Sequence, residues 1–128
     1  MESATAYRYR VVDVFTEHPL EGNPLAVFPQ AHNLDASTMQ RIAKELNLSE
    51  TAFVLPSTRS DCIARVRIFT PSREMPFAGH PTIGTSYVLL DEGAAPAGGW
   101  WLCDLAGSSN HAFLNALASQ ARTHPDRN

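Results

Sequence analysis

Apolar and polar positions change period several times along the chain, and each period predicts an element. Over residues 7–15, Tyr9, Val11, Val12, Val14 and Phe15 form a run of β-branched and aromatic side chains, which is strand chemistry. Asp13 stands inside that run, where an acid more often faces solvent or caps a neighbouring loop than works in catalysis. Residues 16–24 are dense in turn formers and lead into a short strand at 25–28. The period then becomes helical. Met39, Ile42, Ala43 and Leu46 recur on one face with Gln40, Arg41, Lys44 and Glu45 on the other, so the spacing predicts a helix from Asp35 or Ser37 to Asn47. Asp35 suits the N-cap, and Asn47 suits a left-handed exit. Residues 48–56 open polar and become an apolar strand, and residues 62–69 alternate, with Arg65 and Arg67 on the polar face. The polar turn at 59–61 between them predicts an antiparallel pair.

The stretch from Arg67 to Pro81 reads as strand, turn, then a helix beginning at Pro81, where proline's missing N–H would be unpaired anyway. No residue from 82 to 90 is charged. A helix without a wet face belongs inside the protein, surrounded by sheet. Its N-terminal lip, Gly79 and His80, combines free backbone N–H groups with the positive end of the helix dipole, a natural seat for a carboxylate or phosphate. Gly93 stops this helix, and residues 94–99 read as an Ala/Gly joint. Trp100, Trp101 and Leu102 then form an apolar cluster, and Phe113, Ala116, Leu117 and Ala118 predict a short helix within 110–122.

Composition narrows the classes. The 128 residues are 44% hydrophobic and 18% charged, a globular chain of one domain's length. A formal net charge of −3 with no basic stripe argues against a nucleic-acid partner. The N-terminal six residues lack an apolar signal core and no apolar run approaches spanning length, so the expectation is a soluble, cytoplasmic protein without membrane contact. Cys62 and Cys103 lack metal-ligand spacing; they allow one disulfide or two buried thiols, the thiols suiting a cytosolic chain. No P-loop, dinucleotide fingerprint or nucleophile elbow is present.

Four polar residues remain as candidates, each with a plainer alternative. Asn23, in Gly22-Asn23-Pro24, is either part of a tight turn or an amide reaching into a cleft. Glu50, where a loop feeds a buried strand next to two hydroxyls, is a solvated loop carboxylate or a functional acid whose role the residues alone leave open. Glu74 is a second acid or simply good electrostatics near a helix start. His80 donates to a ligand or moves a proton, or else satisfies a nearby backbone group.

Asp13-Val14-Phe15, Leu20-Glu21-Gly22-Asn23-Pro24, the helix end that runs into Asn47-Leu48-Ser49-Glu50-Thr51, and Arg67-Ile68-Phe69-Thr70-Pro71 through Phe77-Ala78-Gly79-His80-Pro81 occur in one order. Together they closely resemble the N-terminal half of the PhzF-like phenazine-biosynthesis isomerases over residues 8–92. The resemblance implies an α+β, diaminopimelate-epimerase-like lobe, a mainly antiparallel sheet wrapped around a central apolar helix, with the active site in a cleft between two such lobes. It places the proton-shuttling glutamate at Glu50, substrate binding at Gly79 and His80, and Asn23 at the cleft edge. It implies no cofactor and no metal; the best-known member isomerises a dihydro-hydroxyanthranilate by moving a proton between ring carbons. Burial in a closed cleft would raise the pKa of such a carboxylate towards the working pH.

Members of that family run to roughly twice this length, and residues 93–128 resemble no part of the continuation. The expected organisation is therefore a lobe at 1–92 and an unmatched tail at 93–128. Two function classes follow. One is an isomerase or epimerase of a small carboxylate-bearing substrate, its cleft closed by a homodimer partner or a separately encoded lobe. The other is a non-catalytic remnant or binding subunit.

Overall fold

The computed structural model describes residues 6–14, 23–58, 60, 62–76, 79–94, 101–104, 112–113 and 121–123; for residues 79–80 and those after 100 the description is of backbone alone. The elements are β1 (Arg10–Val14), β2 (Asn23–Phe28), α1 (Ala36–Leu46), β3 (Glu50–Pro56), β4 (Ala64–Phe69), β5 (Glu74–Met75), α2 (Gly79–Asp91), β6 (Trp101–Asp104), β7 (Ala112–Phe113) and β8 (Ala121–Thr123). They form one α+β sheet in the order β7-β6-β4-β3-β2-β1-β8, with β5 added on β4. β2–β3 and β4–β6 are parallel and the other pairs antiparallel, the predicted β3–β4 pair among them. Each parallel pair needs a long crossover, which α1 and α2 respectively supply.

The α1 signals act as their residue types dictate. The Asp35 carboxylate accepts from the Thr38 N–H at 2.7 Å, which holds its carboxyl below the usual range. Asn47 leaves at φ 55°, its N–H donating to the Ala43 carbonyl. The sheet's two faces then divide the core by strand alternation. Phe28, Phe53 and Phe69 meet Met39 and Ala43 of α1, with Phe28 stacked on Phe53 at 4.9 Å and Phe69 edge-on to Phe53 at 5.6 Å. On the other face Val12, Val14, Leu25, Val27, Ala52 and Val54 lie under Ile83, Val88 and Leu89 of α2.

α2 is the buried helix its uncharged run predicts, closed in on residues 81–86 as well as at Val88 and Leu89. It begins at Gly79, two residues before the predicted start, so Pro81 is its third residue. That position tolerates proline equally, since the first four N–H groups of a helix have no intrahelical acceptor. At the other end Gly93 takes φ 71°, Ala94 N–H donates to Leu89 O at 2.9 Å and Gly93 N–H to Leu90 O at 3.1 Å, a Schellman stop.

Two expectations need correction. Asp13 does not face solvent; it is 1% exposed and holds a polar contact. The tail contributes the backbone of β7 and β8; residues 114–120, which carry most of the short helix expected within 110–122, lie outside the described residues. β8 pairs antiparallel with Val12–Val14 and so covers that strand's edge. Cys62 is buried and disulfide-bonded rather than a thiol; the side chains of Cys103, Trp101 and Phe113, and all of Trp100, lie outside the described residues.

Two acids at the C-terminus of α2 oppose its dipole, and two arginines from the chain's start offset them. Arg8 grips Glu92 with both terminal nitrogens at 2.7 Å, while Arg10 reaches Asp91 at 2.8 Å and lies over the Tyr87 ring at 5.8 Å. The Arg8 hydrogen bond holds the Glu92 carboxyl below its ordinary range. A carboxyl depressed by folding stabilises above its unfolded pKa and loses that contribution as pH falls through the lower folded value. Glu92→Gln should therefore flatten the acid limb of the stability curve by about 1 kcal/mol or less, and salt should shrink the difference. Urea titrations between neutral pH and pH 3 read both effects.

Candidate active site

The side chains singled out from sequence come from segments far apart in the chain. Register brings them to one end of the sheet. In the parallel β2–β3 pair, Leu25 stands opposite Glu50. Alternation puts Asn23 on the same face as Leu25 and Val27, and Glu50 on the same face as Ala52 and Val54; this is the face that carries α2. Asn23 is exposed, while Glu50 is half-buried and held by a polar contact.

The direction of α2 completes the arrangement. Gly84 sits against Leu25, Val12 and Val14 so closely that a Cβ would overlap Leu25 Cδ2. Five residues further along, Leu89 lines a cavity of about 340 Å³ with Val54, Leu55, Pro56 and Ala64, at the far end of β3. α2 thus runs from the Glu50 end of the sheet towards the Pro56 end. Gly79 lies five residues before Gly84, about 7.5 Å at the helical rise, and so projects past Leu25 on the Asn23 side. Asn23, Glu50 and the N-terminus of α2 therefore share one face and one end. The cavity at Leu89 belongs to the opposite end.

The chemistry of this end follows from its parts. The amide groups of Gly79, His80 and Thr82 belong to the first helical turn, where N–H groups lack intrahelical acceptors and the dipole is positive. The His80 side chain and Gly22 lie outside the described residues. Among the described residues, the carboxylate on this face and end is Glu50, the opening residue of β3, delivered there by the left-handed exit at Asn47. Among the described residues no cluster of three or more His, Cys, Asp or Glu side chains is arranged to hold a metal.

Glu74 is not a second free acid. Arg67 donates to both its carboxylate oxygens, Nε to Oε2 at 2.8 Å and a terminal nitrogen to Oε1 at 2.6 Å. Asp13, the acid set aside on sequence grounds, is buried on the face away from α2, alternating with Val12 and Val14. The Arg67–Glu74 pair was not among the candidates drawn from sequence. Its signal was an opposite-charge pair spaced across the turn at 70–73 that joins β4 to β5.

The family model described as "Phenazine biosynthesis-like protein" matches residues 12–123. An uncharacterized isomerase of Pasteurella multocida is 56% identical over 85 residues, which is 66% of this chain and 29% of that protein. The trans-2,3-dihydro-3-hydroxyanthranilate isomerase of Pseudomonas aeruginosa is 53% identical over 83 residues, 65% of this chain and 30% of its own length. Among solved structures, a PhzF-family phenazine biosynthesis protein of Bacillus anthracis superposes with a TM-score of 0.71 at 38% identity, covering 77% of this chain and 33% of that one. The chain thus spans about three tenths of the curated relatives it matches.

Proposed function

The chain belongs to the phenazine biosynthesis-like protein family, and on that premise we propose that it is one lobe of a cofactor-independent isomerase that moves a proton between carbons of a small cyclic carboxylate. The observation that carries this reading is the meeting of Asn23, Glu50 and the N-terminus of α2 at one end and one face of the sheet. In it, the lip at Gly79 and His80 holds the substrate carboxylate, and Asn23 contributes an amide at the cleft edge. Glu50 takes the proton from an activated carbon and returns it to another. The likeness to an enzyme acting on trans-2,3-dihydro-3-hydroxyanthranilate supports a ring-bearing substrate of that class.

Such a carboxylate works only where water is excluded, and one lobe leaves Glu50 half-open. The reading therefore includes closure, by a second copy or by a separate lobe. Sedimentation of the purified chain, followed by incubation with a cyclic amino acid or dihydroanthranilate-type substrate in deuterated water, tests it. A dimer or a reconstituted pair that places deuterium on substrate carbon supports the isomerase. Because the chain covers 29% and 30% of two of its curated relatives, a second reading stands beside it: a binding subunit that keeps the carboxylate seat without turnover. A chain that binds substrate but incorporates no deuterium in any assembly supports that one.

A further inference from the structure

We infer that Arg67 and Glu74 act as a positioning pair that sets where the lip of α2 begins; this deepens the proposed function and rests on its reading of the lip as a carboxylate seat. The chain reaches Gly79 through β5, which holds only two register positions on β4, Ile68↔Met75 and Phe69↔Glu74. So short a strand fixes little by itself. What fixes it is a set of polar contacts in the turn before it and at Glu74, its first residue. In the turn before it, the Thr70 hydroxyl accepts the N–H groups of Ser72 and Arg73 at 3.1 Å each, and Thr70 N–H donates to Arg73 O at 2.8 Å. Gln40 of α1 donates to the Thr70 carbonyl at 2.9 Å, which ties that turn to the opposite helix.

On β5 itself the carboxylate of Glu74 is clamped by the planar fork of Arg67. The guanidinium lies 5.7 Å above the Phe69 ring, which in turn packs edge-on against Phe53. Arg67 is thus held by the aromatic core under α1, and it passes that rigidity to the residue five positions before Gly79. A partly exposed ion pair adds little to global stability. Burial of α2 and α1 dominates there, and neither depends on this pair. Its effect is local: it fixes the approach of the backbone whose N–H groups would face the substrate carboxylate.

The test uses the full chain labelled with ¹⁵N, with anthranilate as the probe. In the unsubstituted protein, anthranilate should shift the amide signals of Gly79, His80 and Thr82. In Glu74→Gln those signals should already differ without ligand, and affinity for anthranilate should fall about tenfold, while Tm moves by no more than about 5 °C. Exchanging the charges, Arg67→Glu with Glu74→Arg, should recover most of the affinity, which a purely structural role would not require. Should Glu74→Gln fail to fold, Arg67→Lys keeps the charge, loses the fork and reads the same change. Unchanged lip signals and affinity in Glu74→Gln would overturn the positioning role alone. No lip response to anthranilate in the unsubstituted protein would overturn the carboxylate seat and the positioning role together.

Discussion

Glu50→Gln should abolish solvent-deuterium incorporation into substrate by any assembly in which the closed cleft is active, a loss of about 10³-fold or more. Glutamine has nearly the shape of glutamate but no basic oxygen to accept a carbon-bound proton. The substitution is also mild for the fold, because the buried positions of β3 begin only at Thr51 and Glu50 itself is half-exposed. The loss should therefore appear in kcat, with Tm close to that of the unsubstituted chain. Glu74→Gln provides the contrast: a carboxylate already clamped by Arg67 cannot be the base, and its substitution should raise KM and leave kcat nearly unchanged. Deuterium incorporation that survives in Glu50→Gln at the original rate removes Glu50 from the mechanism, whatever the assembly.

Legibility in the sequence followed the range of the interactions. Asp35, Asn47 and the spacing of Met39 and Ala43 report on contacts within a few residues, and α1 lies where they put it. The uncharged run after Gly79 reports on burial from all sides, and α2 is enclosed as that run requires. Pairings across long separations left no such trace. Arg8 with Glu92, β8 against β1 and the burial of Asp13 depend on which segments meet, and a carboxylate within a strand carries the same letter whether wet or dry. The candidate site was legible because Asn23, Glu50 and Gly79 each open an element, and the ends of elements are where chemistry sits.

Gly84→Val should leave no cooperatively folded protein, and Gly84→Ala should destabilise by about 1–2 kcal/mol despite replacing the poorer helix former. Glycine inside a helix costs about 1 kcal/mol against alanine, so an alanine at an unconstrained site would stabilise. Here the new Cβ would meet Leu25 Cδ2 in overlap and the Cγ2 atoms of Val12 and Val14 at 3.1 and 3.2 Å. Leu25, Val12 and Val14 are each 0% exposed, so none can turn outward, and the valines have stiff side chains. Relief must come from α2 rising off the sheet. That movement carries the first turn with it, so Gly84→Ala should also weaken binding of anthranilate at Gly79 and His80 while the chain still unfolds in one step. Urea midpoints of the two variants decide the matter. An alanine variant more stable than the parent would mean that Leu25 repacks freely, and the close seat of α2 would then be a convenience of sequence, not the constraint that aims the helix at the Glu50 end.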